Sequence, residues 1–243
     1  MYVVVEDPVI APDKRPDRIA RMFDAIAPRY DLLNRLLSVG IDQRWRRRAI
    51  ASLELTGREV LLDVCTGTAD VALVGRASGA ARVMGVDFAA AMLAIGVRKV
   101  RAAGEEGRIA LIRGDATCLP VSAASVDAVT VAFGIRNVQR PELACAEMAR
   151  ALRPGGRLAI LEFGVPRVPG VSTLYLWYFK YLLPAVGRTV SGHGAAYSYL
   201  PQSVGAFPPP AEFVTILRQA GFDDVRAVPL TLGIVYLYVA RRR

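Results

Sequence analysis

The stretch Val60 to Asp70, V-L-L-D-V-C-T-G-T-A-D, limits the possible architecture more than any other part of the chain. A short apolar run closing on Asp63 has the composition of a buried strand. The small residues behind it predict a tight turn into a helix starting near Thr68 or Ala69. Such a junction leaves unpaired backbone N–H groups pointing outward, with the positive end of a helix dipole behind them, and this suits a nucleotide-like ligand. The next apolar run, Arg82 to Val86, ends in Asp87, at the interval where Rossmann-type proteins place an acid on ribose hydroxyls. A carboxylate satisfied within the fold is the alternative reading of Asp87.

From Val60 onward the pattern alternates. It predicts a helix to Ser78, a strand to Asp87, a helix over 89–103, strands over 109–113 and 126–131, a helix over 141–152 and a strand over 158–161. A helix over 210–220 and strands over 225–229 and 233–240 close the chain. This is an α/β protein with an open, mostly parallel, seven-stranded sheet. Polar residues stand just past five successive strands: Asp63, Asp87, Asp115, Arg136 with Asn137, and Glu162. In an open parallel sheet those ends converge on one crevice.

Outside this core, residues 1–17 read as a flexible arm and 18–243 as a single domain. Residues 18–57 form N-terminal helices, with a pattern over 18–37 that Pro28 interrupts and a basic helix after Gly40 anchored by Trp45. Residues 165–210 form an aromatic-rich cap, which would exclude water from the crevice. Within it, Leu174 to Val186 is too short to span a bilayer. Residues 191–210 read as a Gly/Pro/Tyr loop carrying His193, Tyr197 and Tyr199.

Composition narrows the classes. In 243 residues about half are apolar, enough for one large core. A net charge of +9 suits an anionic membrane or nucleic acid, or a merely solvated basic surface. The three cysteines, Cys65, Cys118 and Cys145, have no metal-type spacing with the single His193, so no metal site is expected. The start of the chain lacks a secretory pattern, and a reducing cytoplasm is the expected location.

Several longer motifs carry a resemblance. They are M-F-D-A-I-A-P-R-Y-D-L-L-N from Met22, W-R at Trp45, D-V-C-T-G-T-A-D at Asp63, G-D-A at Gly114 and F-G-I-R-N-V at Phe133. L-R-P-G-G-R-L at Leu152, L-E-F at Leu161, Y-S-Y-L-P-Q-S at Tyr197 and A-G-F at Ala220 complete the set. In this order they resemble the ubiquinone/menaquinone biosynthesis C-methyltransferases, a group of class I (Rossmann-like) S-adenosylmethionine-dependent enzymes. The resemblance implies that Gly67 and Thr68 contact the methionine end of S-adenosylmethionine, that Asp87 holds the ribose, and that Asp115 and Ala116 hold the adenine. Three positions depart from the family: Thr66 and Ala69 stand where glycines are usual, and Asp42 where histidine is common. A methyl at Ala69 fits helical angles and is strained at positive φ.

The implied reaction moves a methyl group to a ring carbon of a polyprenylated quinol, with demethylmenaquinol favoured over the benzoquinol precursor of ubiquinone. A phenol of pKa near ~10 needs a neighbouring cation or base to ionise. Arg136 is the candidate for the quinolate, unless it serves as the partner of Glu162. Tyr30 is the second catalytic candidate, with packing as its other reading. Asn137 and Tyr197 are candidates for the substrate, and His193 is either a ring-orienting group or a solvated one. The cap and its Lys180 suggest peripheral contact with an anionic membrane at the inner face of the cell. Three rivals remain. A methyltransferase of RNA would show salt-dependent RNA binding, although no nucleic-acid module is visible. A dinucleotide oxidoreductase would need a G-x-G-x-x-G turn that is absent here, and a non-catalytic quinol-binding protein would not bind the cofactor.

Overall fold

The structure, a computed structural model, describes residues 13–166, 168, 170, 172, 173, 175 and 194–243. Two helices lead into the sheet, α1 (Pro16–Leu37) and α2 (Asp42–Ala51). The alternating core follows with β1 (Val60–Val64), α3 (Asp70–Ala77), β2 (Arg82–Asp87), α4 (Ala90–Ala102), β3 (Ile109–Arg113) and β4 (Val126–Ala132). A 3-10 turn (Ile135–Asn137), α5 (Pro141–Ala151) and β5 (Leu152–Phe163) come next. The chain ends with α6 (Gly194–Gly205), α7 (Pro210–Gln219), β6 (Phe222–Leu230) and β7 (Val235–Arg242).

The sheet runs β3-β2-β1-β4-β5-β7-β6, with β7 antiparallel to both its neighbours and the other pairs parallel. The strand order reverses between β1 and β4, and in a doubly wound sheet that reversal opens the ligand crevice. Leu62, Val64, Val129 and Val131 bury one face of the central strands, and Leu61, Ala128, Ala159 and Leu161 the other. Both faces are covered, as the near-continuous apolar strands require.

Three sequence expectations need correction. Pro28 does not interrupt the first helix. Pro28 is exposed and forgoes only its own hydrogen bond, and α1 runs on through it. The stretch 194–205, expected as loop, is helix α6 with Pro201 inside it. β5 begins at Leu152 rather than 158: Leu152 pairs with Val126 and Arg157 with Ala128, so the R-P-G-G segment bulges from a strand that has already started. His193, Lys180 and most of the aromatic cap lie outside the described residues.

α1 lies across the carboxyl ends of the strands. Asp24 accepts a hydrogen bond from Ala91 N at 2.8 Å, capping the start of α4 from outside. α2 is fixed by Trp45, whose indole N–H donates to Thr231 Oγ1 at 2.9 Å.

Candidate active site

The turn after β1 is stitched to the end of β2. Thr66 N donates to the Val86 carbonyl at 3.0 Å, Gly67 N to Asp87 Oδ2 at 2.8 Å, and Ala89 N to Asp87 Oδ1 at 2.9 Å. Each Asp87 oxygen thus accepts one N–H and keeps capacity for another donor. Burial raises the Asp87 pKa, while the N–H groups pull it down. The turn alternates into left-handed angles at Cys65 (φ 56°), Gly67 (φ 55°) and Ala69 (φ 64°). Ala69 therefore precedes the helix as its N-cap and is not its first residue, and the methyl sits at positive φ. That conformation costs an alanine about 1–2 kcal/mol. A side chain on Gly67 would meet nothing within 4 Å, which leaves this corner open to a ligand.

An open crevice lies over this turn. Tyr30, Gly67, Asp87 and Asn137, four of the sequence-predicted site residues, line it together with Phe23, Phe88, Met92 and Phe133. Apolar walls beside one buried carboxylate fit a nucleoside: a flat base against hydrocarbon and a diol on the acid.

Thr68 is buried behind the turn, and its hydroxyl donates to Asp31 Oδ1 at 2.6 Å. Lys99 bridges Asp31, at 3.0 Å, and Asp70. Asp115, exposed at the end of β3, accepts from Thr117 N and Oγ1 at 2.7 and 2.8 Å, and Ala116 beside it is buried. Neither belongs to the crevice lining.

The other wall comes from the end of β4. Gly134 lets this strand end approach β1: a Cβ there would stand 2.3 Å from Cys65 Cβ. Arg136, buried in the 3-10 turn, donates through Nη1 to Glu162 Oε1 and to the Phe133 carbonyl, both at 2.6 Å, and its guanidinium rests 5.3 Å above the Phe163 ring. The Glu162 pairing anticipated as one reading of Arg136 is formed. The Arg136 Nε and the Asn137 Oδ1 nevertheless have no hydrogen-bond partner among the described residues. Tyr30 packs edge-on to Phe23. Tyr197 stands on α6, with its side chain outside the described residues.

Tyr199, on the same helix, is the residue the sequence reading left unused. Its hydroxyl is buried without a partner among the described residues. Burial pushes it up to about 12, with the Arg136 charge lowering and the Glu162 charge raising it. Asp31 and Lys99 were also overlooked, although the Y-D-x-x-N motif contains Asp31.

Comparison with known proteins agrees with this geometry. Residues 12–242 match the model of the ubiE/COQ5 methyltransferase family. The ubiquinone/menaquinone biosynthesis C-methyltransferase UbiE of Syntrophotalea carbinolica is 50% identical over 228 residues, covering 93% of this chain and 95% of that protein. The demethylmenaquinone methyltransferase of Thermus thermophilus is 48% identical over 224 residues, covering 91% and 100%. Among solved structures the [4+2]-cyclase SpnF superposes with a TM-score of 0.67 at 18% identity, covering 92% of this chain and 94% of that one. A SAM-dependent methyltransferase from Aquifex aeolicus gives 0.57 at 18%, covering 81% and 88%. These two likenesses concern the fold. With a doubly wound sheet, an acid after β2 and a match over nearly its whole length, the chain belongs to the ubiE/COQ5 methyltransferase family.

Proposed function

We propose that the protein is an S-adenosylmethionine-dependent C-methyltransferase that acts on a ring carbon of a polyprenylated quinol, converting demethylmenaquinol to menaquinol. The observation that carries this reading is the meeting of the cofactor candidates Gly67 and Asp87 with the catalytic candidate Tyr30 and the substrate candidate Asn137 in one crevice. The names of the relatives support the substrate class.

The bound cofactor supplies an electrophilic methyl group, so the protein's work is to bind, align and ionise. Asp87 accepts the ribose hydroxyls with its free lone pairs, and the open face of Gly67 admits the methionine portion beside Thr68. Asp115 and Ala116 bound the adenine end. The apolar walls keep water from the transfer.

On the quinol, Asn137 Oδ1 accepts a hydrogen bond from the hydroxyl, which relieves the cost of a buried unpaired oxygen. Arg136 is not among the residues lining the crevice; its guanidinium, whose plane Glu162 fixes, lends buried positive charge as the oxygen becomes anionic. Tyr30 packs against the ring and Tyr199 approaches from α6, the helix that also carries the candidate Tyr197. The enzyme meets its lipid-borne substrate as a peripheral protein on the cytoplasmic side of an anionic membrane.

The test is incubation with methyl-labelled S-adenosylmethionine and demethylmenaquinol, in parallel with the benzoquinol precursor, followed by mass analysis. Label in menaquinol is the expected result. Label only in the benzoquinol, or in neither, overturns the assignment.

A further inference from the structure

Four of the nine large apolar side chains exposed among the described residues fall within ten residues of chain: Leu32, Leu36, Val39 and Ile41. Leu32 and Leu36 are one helical turn apart on the outer face of α1. Val39, at the tip of the turn into α2, is 85% exposed and adopts φ 52°, a left-handed angle that is strained for a β-branched residue. Its side chain therefore adds nothing to the core. Gly40 N closes the turn on the Arg35 carbonyl at 2.8 Å, so the tip is a fixed structure.

The charge around this patch is one-sided. Residues 25–53 contain six arginines and two aspartates. Both aspartates are already engaged: Asp31, a quarter exposed, holds Thr68 and Lys99, and Asp42 is buried against Ser38 and Arg46. Arg44, Arg47 and Arg48 form one exposed face of α2, and no carboxylate pairs with them among the described residues. Apolar residues flanked by unpaired arginines match a bilayer interface, where the hydrocarbon enters the acyl boundary and guanidinium groups reach lipid phosphates. Opposite the patch, the same helix lines the crevice with Phe23 and Tyr30. No helix among the described residues is long and apolar enough to cross a membrane.

We propose that the outer face of the α1 C-terminus, the Val39 turn and the arginine face of α2 form a docking surface for an anionic phospholipid bilayer. The surface sets α1, whose other face lines the crevice, against the lipid in which a polyprenyl tail resides. This last step rests on the quinol reading, whereas the docking surface itself does not.

The test uses the full chain and vesicles of phosphatidylglycerol mixed with phosphatidylcholine, without quinol or cofactor, read by co-sedimentation and repeated with phosphatidylcholine alone. Wild-type protein is expected to bind only the anionic vesicles. The Arg44→Gln/Arg47→Gln/Arg48→Gln variant should weaken binding by roughly fivefold per arginine, on the order of 100-fold in all. The Leu32→Asn/Leu36→Asn/Val39→Asn variant should lose at least about tenfold. Both should keep the wild-type circular dichroism spectrum and the wild-type rate on a short-tailed, water-soluble quinol. Absence of wild-type binding overturns the proposal, as does undiminished binding by either variant. A wild-type dimer that the leucine variant dissociates would overturn it too, by assigning the patch to a second copy of the chain. Vesicle binding through this patch, without methylation of any quinol, would sink the substrate assignment and leave the docking surface standing.

Discussion

Arg136 and Glu162 form a buried ion pair at 2.6 Å, with the carboxylate side chain wholly excluded from solvent. Removing one partner of such a pair leaves an uncompensated charge and costs about 3–5 kcal/mol, whereas replacing both with apolar groups is often neutral. Glu162→Gln should lower the unfolding free energy by about 3 kcal/mol in urea titration. The double variant Arg136→Met/Glu162→Met should regain most of that stability without regaining methyl transfer. Recovered activity in the double variant would remove Arg136 from the mechanism.

Cys65 and Gly134 set the spacing of the two strand ends that frame the crevice. A methyl on Gly134 would stand 2.3 Å from Cys65 Cβ and 3.0 Å from its sulfur. Overpacking of this kind typically costs about 1–3 kcal/mol. Gly134→Ala is expected to destabilise by about 2 kcal/mol, and Cys65→Gly in the same chain to restore stability, since it removes the clash and also relaxes the left-handed angle at residue 65. Thermal melts of both single variants and the double complete the cycle. Additive losses would show that the two positions do not meet.

Asp31 joins α1 to the turn after β1 through Thr68 and Lys99. The ion pair is a quarter exposed, so its contribution to stability is small, below about 1 kcal/mol. Its effect is one of placement. Asp31→Asn should raise the KM for S-adenosylmethionine about tenfold while kcat falls by less, with an unchanged melting temperature. Equal falls in kcat and kcat/KM, at constant KM, would put Asp31 on the transition state instead.

The sheet was legible because buried strands announce themselves as apolar runs and Asp87 stands at a fixed interval from Asp63. Of the polar strand ends, Asp87 and Asn137 line the crevice, whereas Asp63, Arg136 and Glu162 are buried and Asp115 is exposed outside its lining, which the pattern of strand ends does not distinguish. What escaped was tertiary. Thr68, Asp31 and Lys99 are 37 and 31 positions apart in sequence, a separation that no periodicity encodes. α6 was hidden by its Gly, Ser and Pro content, which propensity assigns to loop and which packing against neighbouring elements overrides. The left-handed Ala69 could be posed as an alternative but not decided, because an alanine is compatible with both outcomes. Its methyl fills the space beside Gly96, where a Cβ would come within 3.2 Å of it.

Asp63 gives the fold an unusual pH dependence. The side chain is fully buried, and its carboxyl is pushed up to about 7 by burial, against the hydrogen bond from Thr66 Oγ1 at 2.6 Å and the positive charge of Arg46. In the unfolded chain the same group titrates near ~3.9. Between those values the folded state holds more protons, so stability is greatest below about pH 4 and declines as pH rises through 7, by at most about 1.4 kcal/mol per pH unit for this group. Asp87, also raised, acts in the same direction. Glu59 lies outside the window: burial raises it, but hydrogen bonds from Thr56 and neighbouring backbone N–H groups outweigh that and hold it at about 2. Its contribution is lost only as pH falls from about 4.5 toward 2. Urea midpoints measured from pH 5 to 8 should therefore fall with pH in the wild type. They should fall less in Asp63→Asn, whose amide oxygen still accepts the Thr66 hydroxyl. Equal slopes in the two proteins would mean that Asp63 is ionised throughout and that Arg46 and Thr66 outweigh its burial.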